Sequence, residues 1–162
     1  MNSDYRKYLE RAESEGKSIK KTFARWKRKT PNKLDDHFQE AHYEAFEEIE
    51  CLDCANCCKT TSPIFIDRDI DRIASHLRMK PSAFIEKYLR LDSDDDYVLQ
   101  RSPCAFLGPD NYCSIYDFRP RACREYPHTD RKNMHQILDL TRKNTEVCPA
   151  VARIVLQLKS YL

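Results

Sequence analysis

Apolar side chains recur at helical spacing along the first fifty residues. Tyr5, Leu9 and Ala12 predict a helix over 4–15, and Ile19, Phe23 and Trp26 predict a second over 17–29, closed by Pro31. Leu34, Phe38, Ala41, Ala45 and Ile49 step four, three, four and four residues apart, which predicts a third over 34–49. Further along, Asp67 is placed to cap a helix whose core stripe is Ile70, Ile73, Ala74 and Leu77. Pro81 suits the first turn of the next, with Phe84, Ile85, Tyr88 and Leu89 inward. Residues 97–100 read as a short strand, and 104–107 and 112–115 flank Gly-Pro-Asp-Asn as a β-hairpin would. Pro149 opens a last helix with Val151, Val155, Leu158 and Leu162 as its stripe. The pattern predicts a mainly α (small α+β) chain, with one short β-hairpin.

Composition narrows the classes. At 162 residues and 41% hydrophobic, the chain suits one domain with a core that needs no disulfide staples. Gly16 and Gly108 are the only glycines, so no glycine-rich nucleotide loop can be written. A net charge of +2 does not indicate a globally basic nucleic-acid binder. No apolar run approaches the ~20 residues of a membrane span. The N-terminus lacks an apolar h-region, so no signal peptide and a cytoplasmic location are expected. The acidic run 92–96 is not an EF-hand: Tyr97 falls at the glycine position and Pro103 at the closing glutamate, which leaves a solvated turn.

Charge is segregated near the N-terminus. Residues 17–33 hold eight Lys or Arg and no acid, whereas 34–53 hold eight Asp or Glu and no Lys or Arg. Two neighbouring helices attracting one another account for this. The functional reading is a basic helix facing RNA, the ribosome or a protein partner, with Phe23 and Trp26 interleaved. His37 and His42 are five apart and share no helical face, so both read as surface residues.

The chemistry lies in the cysteines: Cys51, Cys54, Cys57, Cys58, Cys104, Cys113, Cys123 and Cys148. Where thiols stay reduced, such clusters bind metal more often than they form disulfides. The first four are spaced C-x2-C-x2-C-C, and a C-x2-C turn lets two thiolates reach one metal at ~2.3 Å. Adjacent side chains diverge, so Cys57 and Cys58 are expected to serve different metals or different corners of a cluster. Tetrahedral zinc takes four thiolates, so eight imply two zinc sites, a thiolate-bridged site or an iron–sulfur cluster with spare thiols. Cys104 and Cys113 flank the hairpin turn as a knuckle. Arg119, Arg121 and Arg124 surround Cys123, and one or more is expected to offset the charge of the thiolates from behind. Cys148 precedes Pro149 at a helix N-terminus, where a thiolate is favoured. His128 and His135 are further candidate ligands, read instead as surface histidines.

CLDCANCC, PCAFL, YCSIYDFRPRACREYP and the late Cys148–Pro149 pair together resemble the CxxCxxCC cysteine-cluster family, also called YkgJ-like, over about residues 51–150. The resemblance implies a zinc- or iron-chelating domain and all eight cysteines as metal ligands. Some relatives resemble a flagellin lysine-N-methylase, which implies a component of a protein-lysine methylase as one alternative. The organisation expected is an N-terminal helical segment (1–50), a cysteine-cluster domain (51–150) and a C-terminal helix (149–162), packed as one domain. Helices are expected around a cysteine-lined metal site holding a polynuclear iron–sulfur or a binuclear zinc centre. Eight close thiols tilt the expectation towards iron. The alternative from another class is a zinc-stabilised interaction module that binds through 17–33. A thiol–disulfide catalyst would keep one exposed CxxC rather than eight clustered cysteines.

Overall fold

The computed structural model describes residues 3–162. The chain divides into two compact units, one formed by the chain up to Cys54 together with Pro127–Leu162, the other by Ala55–Tyr126. Mainly helical structure with one small antiparallel sheet is as the sequence predicts.

The first unit contains α1 (Ser3–Ser14), α2 (Gly16–Arg28), α3 (Leu34–Glu48) and the single turn α4 (Cys51–Cys54). In chain order, α5 to α8 belong to the second unit. The first resumes with a 3₁₀ turn (Met134–Ile137), α9 (Leu138–Asn144) and α10 (Pro149–Leu158). α10 is the axis of this unit. Pro149, Ala150, Val151, Ala152, Ile154, Val155, Leu156 and Leu158 are all buried, so it is apolar almost all round, as a central helix must be. α1 and α3 pack along it. Each fully buried aliphatic side chain contributes ~1.5–3 kcal/mol. The predicted stripe fails at one position: Leu162 lies beyond the helix and is only half-buried.

The helices α2 and α3 meet through aromatic rings. Trp26 is fully buried, 5.1 Å from the Phe23 ring and edge-on to Phe38 at 6.1 Å. The expected attraction between their opposite charges is not what joins them. Among the described residues no ion pair links α2 to α3. Glu48 of α3 pairs instead with Arg153 of α10 at 2.8 Å, and Glu44 accepts a hydrogen bond from Gln157. Asp35 accepts the backbone amides of Asn133 and Met134. His42, expected at the surface, is half-buried, its Nδ1 2.8 Å from the hydroxyl of fully buried Thr129. His37 lies beside the Tyr161 ring.

The second unit contains α5 (Asn56–Thr60), α6 (Asp67–His76), α7 (Pro81–Tyr88), strands β1 (Leu89–Leu91) and β2 (Tyr97–Leu99), a 3₁₀ turn (Tyr116–Phe118) and α8 (Arg121–Glu125). Its core is Phe65, Ile70, Ile73, Ala74, Phe84, Leu89, Leu99, Phe106 and Ile115. Pro81 stands at the start of α7 as predicted. Asp67 does not cap α6. Ile66 holds that position, and the Asp69 carboxylate reaches back to its amide.

The β-hairpin is displaced from its predicted place. It pairs β1 with β2, with Leu89 opposite Leu99 and Leu91 opposite Tyr97. Leu89, predicted as helical, therefore begins a strand. The acidic run is the turn, and Asp92 Oδ1 accepts the amides of Asp94 and Asp96. Between 104 and 115 only one bridge forms, Leu107 with Cys113. Gly108 sits at that corner because a Cβ there would meet Asp110 Oδ1 at 2.6 Å and the Tyr112 carbonyl at 3.2 Å. Among the described residues no helix is long and apolar enough to cross a membrane.

Candidate metal centre

The opening cysteine run is broken into two short helices by Ala55, whose φ of 47° is left-handed. Cys51 and Cys54 are three residues apart on α4 and so lie on one face of its single turn. Cys57 and Cys58 sit on α5. No disulfide joins any of the eight cysteines.

In the first unit, Cys148 is brought towards Cys51 and Cys54 at the start of α10. Burial pushes the Cys148 thiol up to about 12, and charge on Cys51 and Cys54 adds to this. The amides of Val151 and Ala150, at the N-terminus of α10, act in the opposite sense. Cys148 therefore stands at the helix N-terminus as predicted, but burial outweighs the amides and the thiolate is not favoured there.

The second unit gathers the other five. The Cys104 amide donates to the Cys58 carbonyl at 2.8 Å and ties the knuckle to α5. The knuckle itself is held by Leu107 N–H on the Cys104 carbonyl and Gly108 N–H on the Tyr112 carbonyl. Pro120 launches α8, which carries Cys123. Cys57 and Cys58 do not diverge as expected, because their side chains are hydrogen-bonded. That bond is the main reason the Cys58 thiol is raised, followed by its burial.

Electrostatics identifies the neighbours. Burial raises Cys104 to about 11, opposed by the Phe106 and Leu107 amides and reinforced by charge on Cys58 and Cys113. Burial raises Cys123 to about 12, reinforced by Cys58, Cys104 and Cys113. Cys113 is raised by burial and by Cys58, and the Ile115 amide opposes this. Cys58 thus acts on each of the other three, so four sulfurs from four sequence-distant positions share one neighbourhood. Arg119 lowers both Cys113 and Cys123, and its guanidinium lies 3.8 Å over the Tyr116 ring. Arg121 pairs with Glu125 at the surface, and Arg124 is exposed. His135 is exposed, and His128 is half-buried with a φ of 64°.

This donor set fits zinc or iron chemically. It is soft sulfur throughout, and a cation among thiols that raise one another would reverse that effect. The geometry is gathered but not closed. Among the described residues, no three Cys, His, Asp or Glu side chains are arranged to hold a metal ion as they stand.

Sequence reading missed the support of this site. Asp69 is buried to 1% exposure, ion-paired with Arg72, and accepts the Arg121 amide with both oxygens at 3.2 Å. Its phase was the available signal, since it stands one residue before Ile70 and four before Ile73 on the inward stripe.

In comparison with known families, the CxxCxxCC model, described as "Putative zinc- or iron-chelating domain", matches residues 50–149. No curated protein matches the chain, and no solved structure does.

Proposed function

The chain belongs to the CxxCxxCC family, and from that premise we propose that it is a metal-holding protein with a four-thiolate centre on Cys58, Cys104, Cys113 and Cys123. The observation that carries this reading is the tie of the knuckle to α5, with the Cys104 amide on the Cys58 carbonyl at 2.8 Å and Leu107 bridged to Cys113, and Cys58 bears electrostatically on Cys104, Cys113 and Cys123. Four thiolates complete a tetrahedral zinc or iron shell at ~2.3 Å, and equally the corners of one iron–sulfur cluster. Cys57, bonded to Cys58, stands beside the shell. Cys51, Cys54 and Cys148 form a second, three-thiol set for a further ion.

The protein's own groups have defined parts. Cys58, Cys104, Cys113 and Cys123 are half-buried, which leaves the sulfurs partly shielded from water. The Phe106, Leu107 and Ile115 amides orient Cys104 and Cys113 and stabilise their anionic forms. Arg119 offsets part of the negative charge that four thiolates leave around a divalent ion. A bound zinc supplies a fixed structural clamp, and a bound iron–sulfur cluster supplies one-electron chemistry.

Anaerobic purification followed by absorption spectroscopy and assay of zinc, iron and acid-labile sulfide tests this. Zinc without sulfide assigns closed thiolate sites. Iron with sulfide and a broad band near ~400 nm assigns a cluster. Protein that keeps neither metal after growth with both would overturn the proposal. So would metal retained in full when Cys58 and Cys104 are both replaced by serine.

A further inference from the structure

We infer that the outward face of α2 is a docking surface for the phosphate backbone of double-stranded nucleic acid. The helix has two chemically separate sides. Ile19, Thr22, Phe23 and Trp26 are buried, while Lys17, Lys20, Lys21, Arg25, Lys27 and Arg28 are all exposed, and the helix carries no acid. At ~100° per residue, Lys17, Lys20, Lys21 and Arg28 fall within one arc of ~100°, with Arg25 and Lys27 at its edges.

This charge is not neutralised within the protein. Among the described residues, Lys17, Lys20, Lys21, Arg25 and Arg28 make no ion pair; Lys27 alone reaches a carboxylate, Asp139 of α9, at 2.8 Å. That single acid also feels Arg142, itself paired with Glu146, and exposed Lys143. Three of the six acids of α3 are turned to other partners: Glu48 to Arg153, Glu44 to Gln157, and Asp35 to the amides of Asn133 and Met134. A face of unpaired like charges repels itself, and an external polyanion relieves that repulsion.

The form of the face selects among polyanions. Its apolar side is already in the core, so nothing remains to insert into a lipid surface. Phe23 and Trp26 are buried, so no aromatic platform awaits unstacked bases. A protein partner would want an apolar anchor at the centre, and Ala24 is the only apolar side chain exposed there. Lys17 to Arg28 span about 16 Å, the length of about five phosphates along one strand.

The test titrates the metal-loaded full chain into a fluorescent duplex and follows anisotropy over a series of salt concentrations. The expected result is sequence-independent binding with a log–log salt slope of about −4 to −5. K20E/K21E should weaken binding by about tenfold or more, and the uncharged K20Q/K21Q by less, with metal content and circular dichroism unchanged. K87E/R90E makes the same change in net charge on the second unit and should leave affinity close to wild type. Absence of duplex binding at low salt overturns the inference. Equal weakening by the two charge-reversed pairs also overturns it, as does tighter binding to a single strand. Binding to vesicles of anionic phospholipid without binding to duplex does the same.

Discussion

Arg72 Nη2 donates to the Asp69 carboxylate at 2.7 Å, and the same nitrogen reaches the carbonyls of Phe118 at 3.2 Å and Arg119 at 3.0 Å. With the Arg121 amide on Asp69, this pair fastens α6 to the corner that separates Cys113 from Cys123. Asp69→Ala leaves the guanidinium and the amide without their acceptor and should cost about 3 kcal/mol by urea unfolding. It should also weaken zinc binding by at least about tenfold in a chelator competition, because the corner no longer fixes Cys123. Asp69→Asn keeps the shape without the charge and should fall between.

Substitution of the thiols should separate the two sets. Cys58→Ser should lower the metal content of the purified protein by the share of one centre, since Cys58 neighbours each of the other three thiols. Cys57→Ser should lower it less. Cys51→Ser should leave the Cys58 centre filled, and elemental analysis of the three variants reads the difference.

The metal-free, reduced protein should lose stability at alkaline pH. Cys104, Cys123 and Cys148 have folded values of about 11, 12 and 12 against an ordinary value of 9.0. Above 9.0 the unfolded chain sheds these protons while the folded chain keeps them. The stabilisation is therefore whole below about 9 and lost as pH rises towards 12. Thermal unfolding at pH 8 and pH 10.5 should show the drop, and Cys148→Ala should make it smaller.

The first unit should weaken on the acid side. Burial holds His42 below its ordinary 6.5, although Asp130 pulls it upward. A base depressed in the folded state is stabilising above its unfolded value, and that contribution is lost as pH falls below about 6.5. His42→Gln can still hydrogen-bond Thr129 and should flatten the stability profile between pH 7 and pH 5 in circular dichroism melts.

Helices were legible wherever an apolar stripe was long. Tyr5, Phe23, Phe38, Ile73 and Val155 are buried as their spacing implied. The hairpin was not, because 104–115 has the composition of paired strands, yet only the single bridge of Leu107 with Cys113 forms there. The acidic run 92–96 was legible as a turn and 97–100 as a strand, but the partner strand was not, because Leu89 continues the apolar stripe of α7. The cysteines announced the chemistry but not its grouping, because the division falls at Ala55, a residue with no turn propensity of its own. Asp69 was hidden for a related reason: in DRDIDR an inward carboxylate looks like its solvated neighbours.

The two units differ in when the growing chain can finish them. Ala55–Tyr126 is one unbroken stretch with its own apolar core and five thiols, and its last residue is made well before α10. The first unit is discontinuous, and its axial helix follows the whole of the second unit in the chain. Until then Phe38 and Ala41 on α3 lack the helix that covers them, and Cys51 and Cys54 lack Cys148. During synthesis, which supplies the chain from its N-terminus, the Cys58 set is therefore complete first. On the proposed assignment it would compete for metal while the other set still waited for its third sulfur.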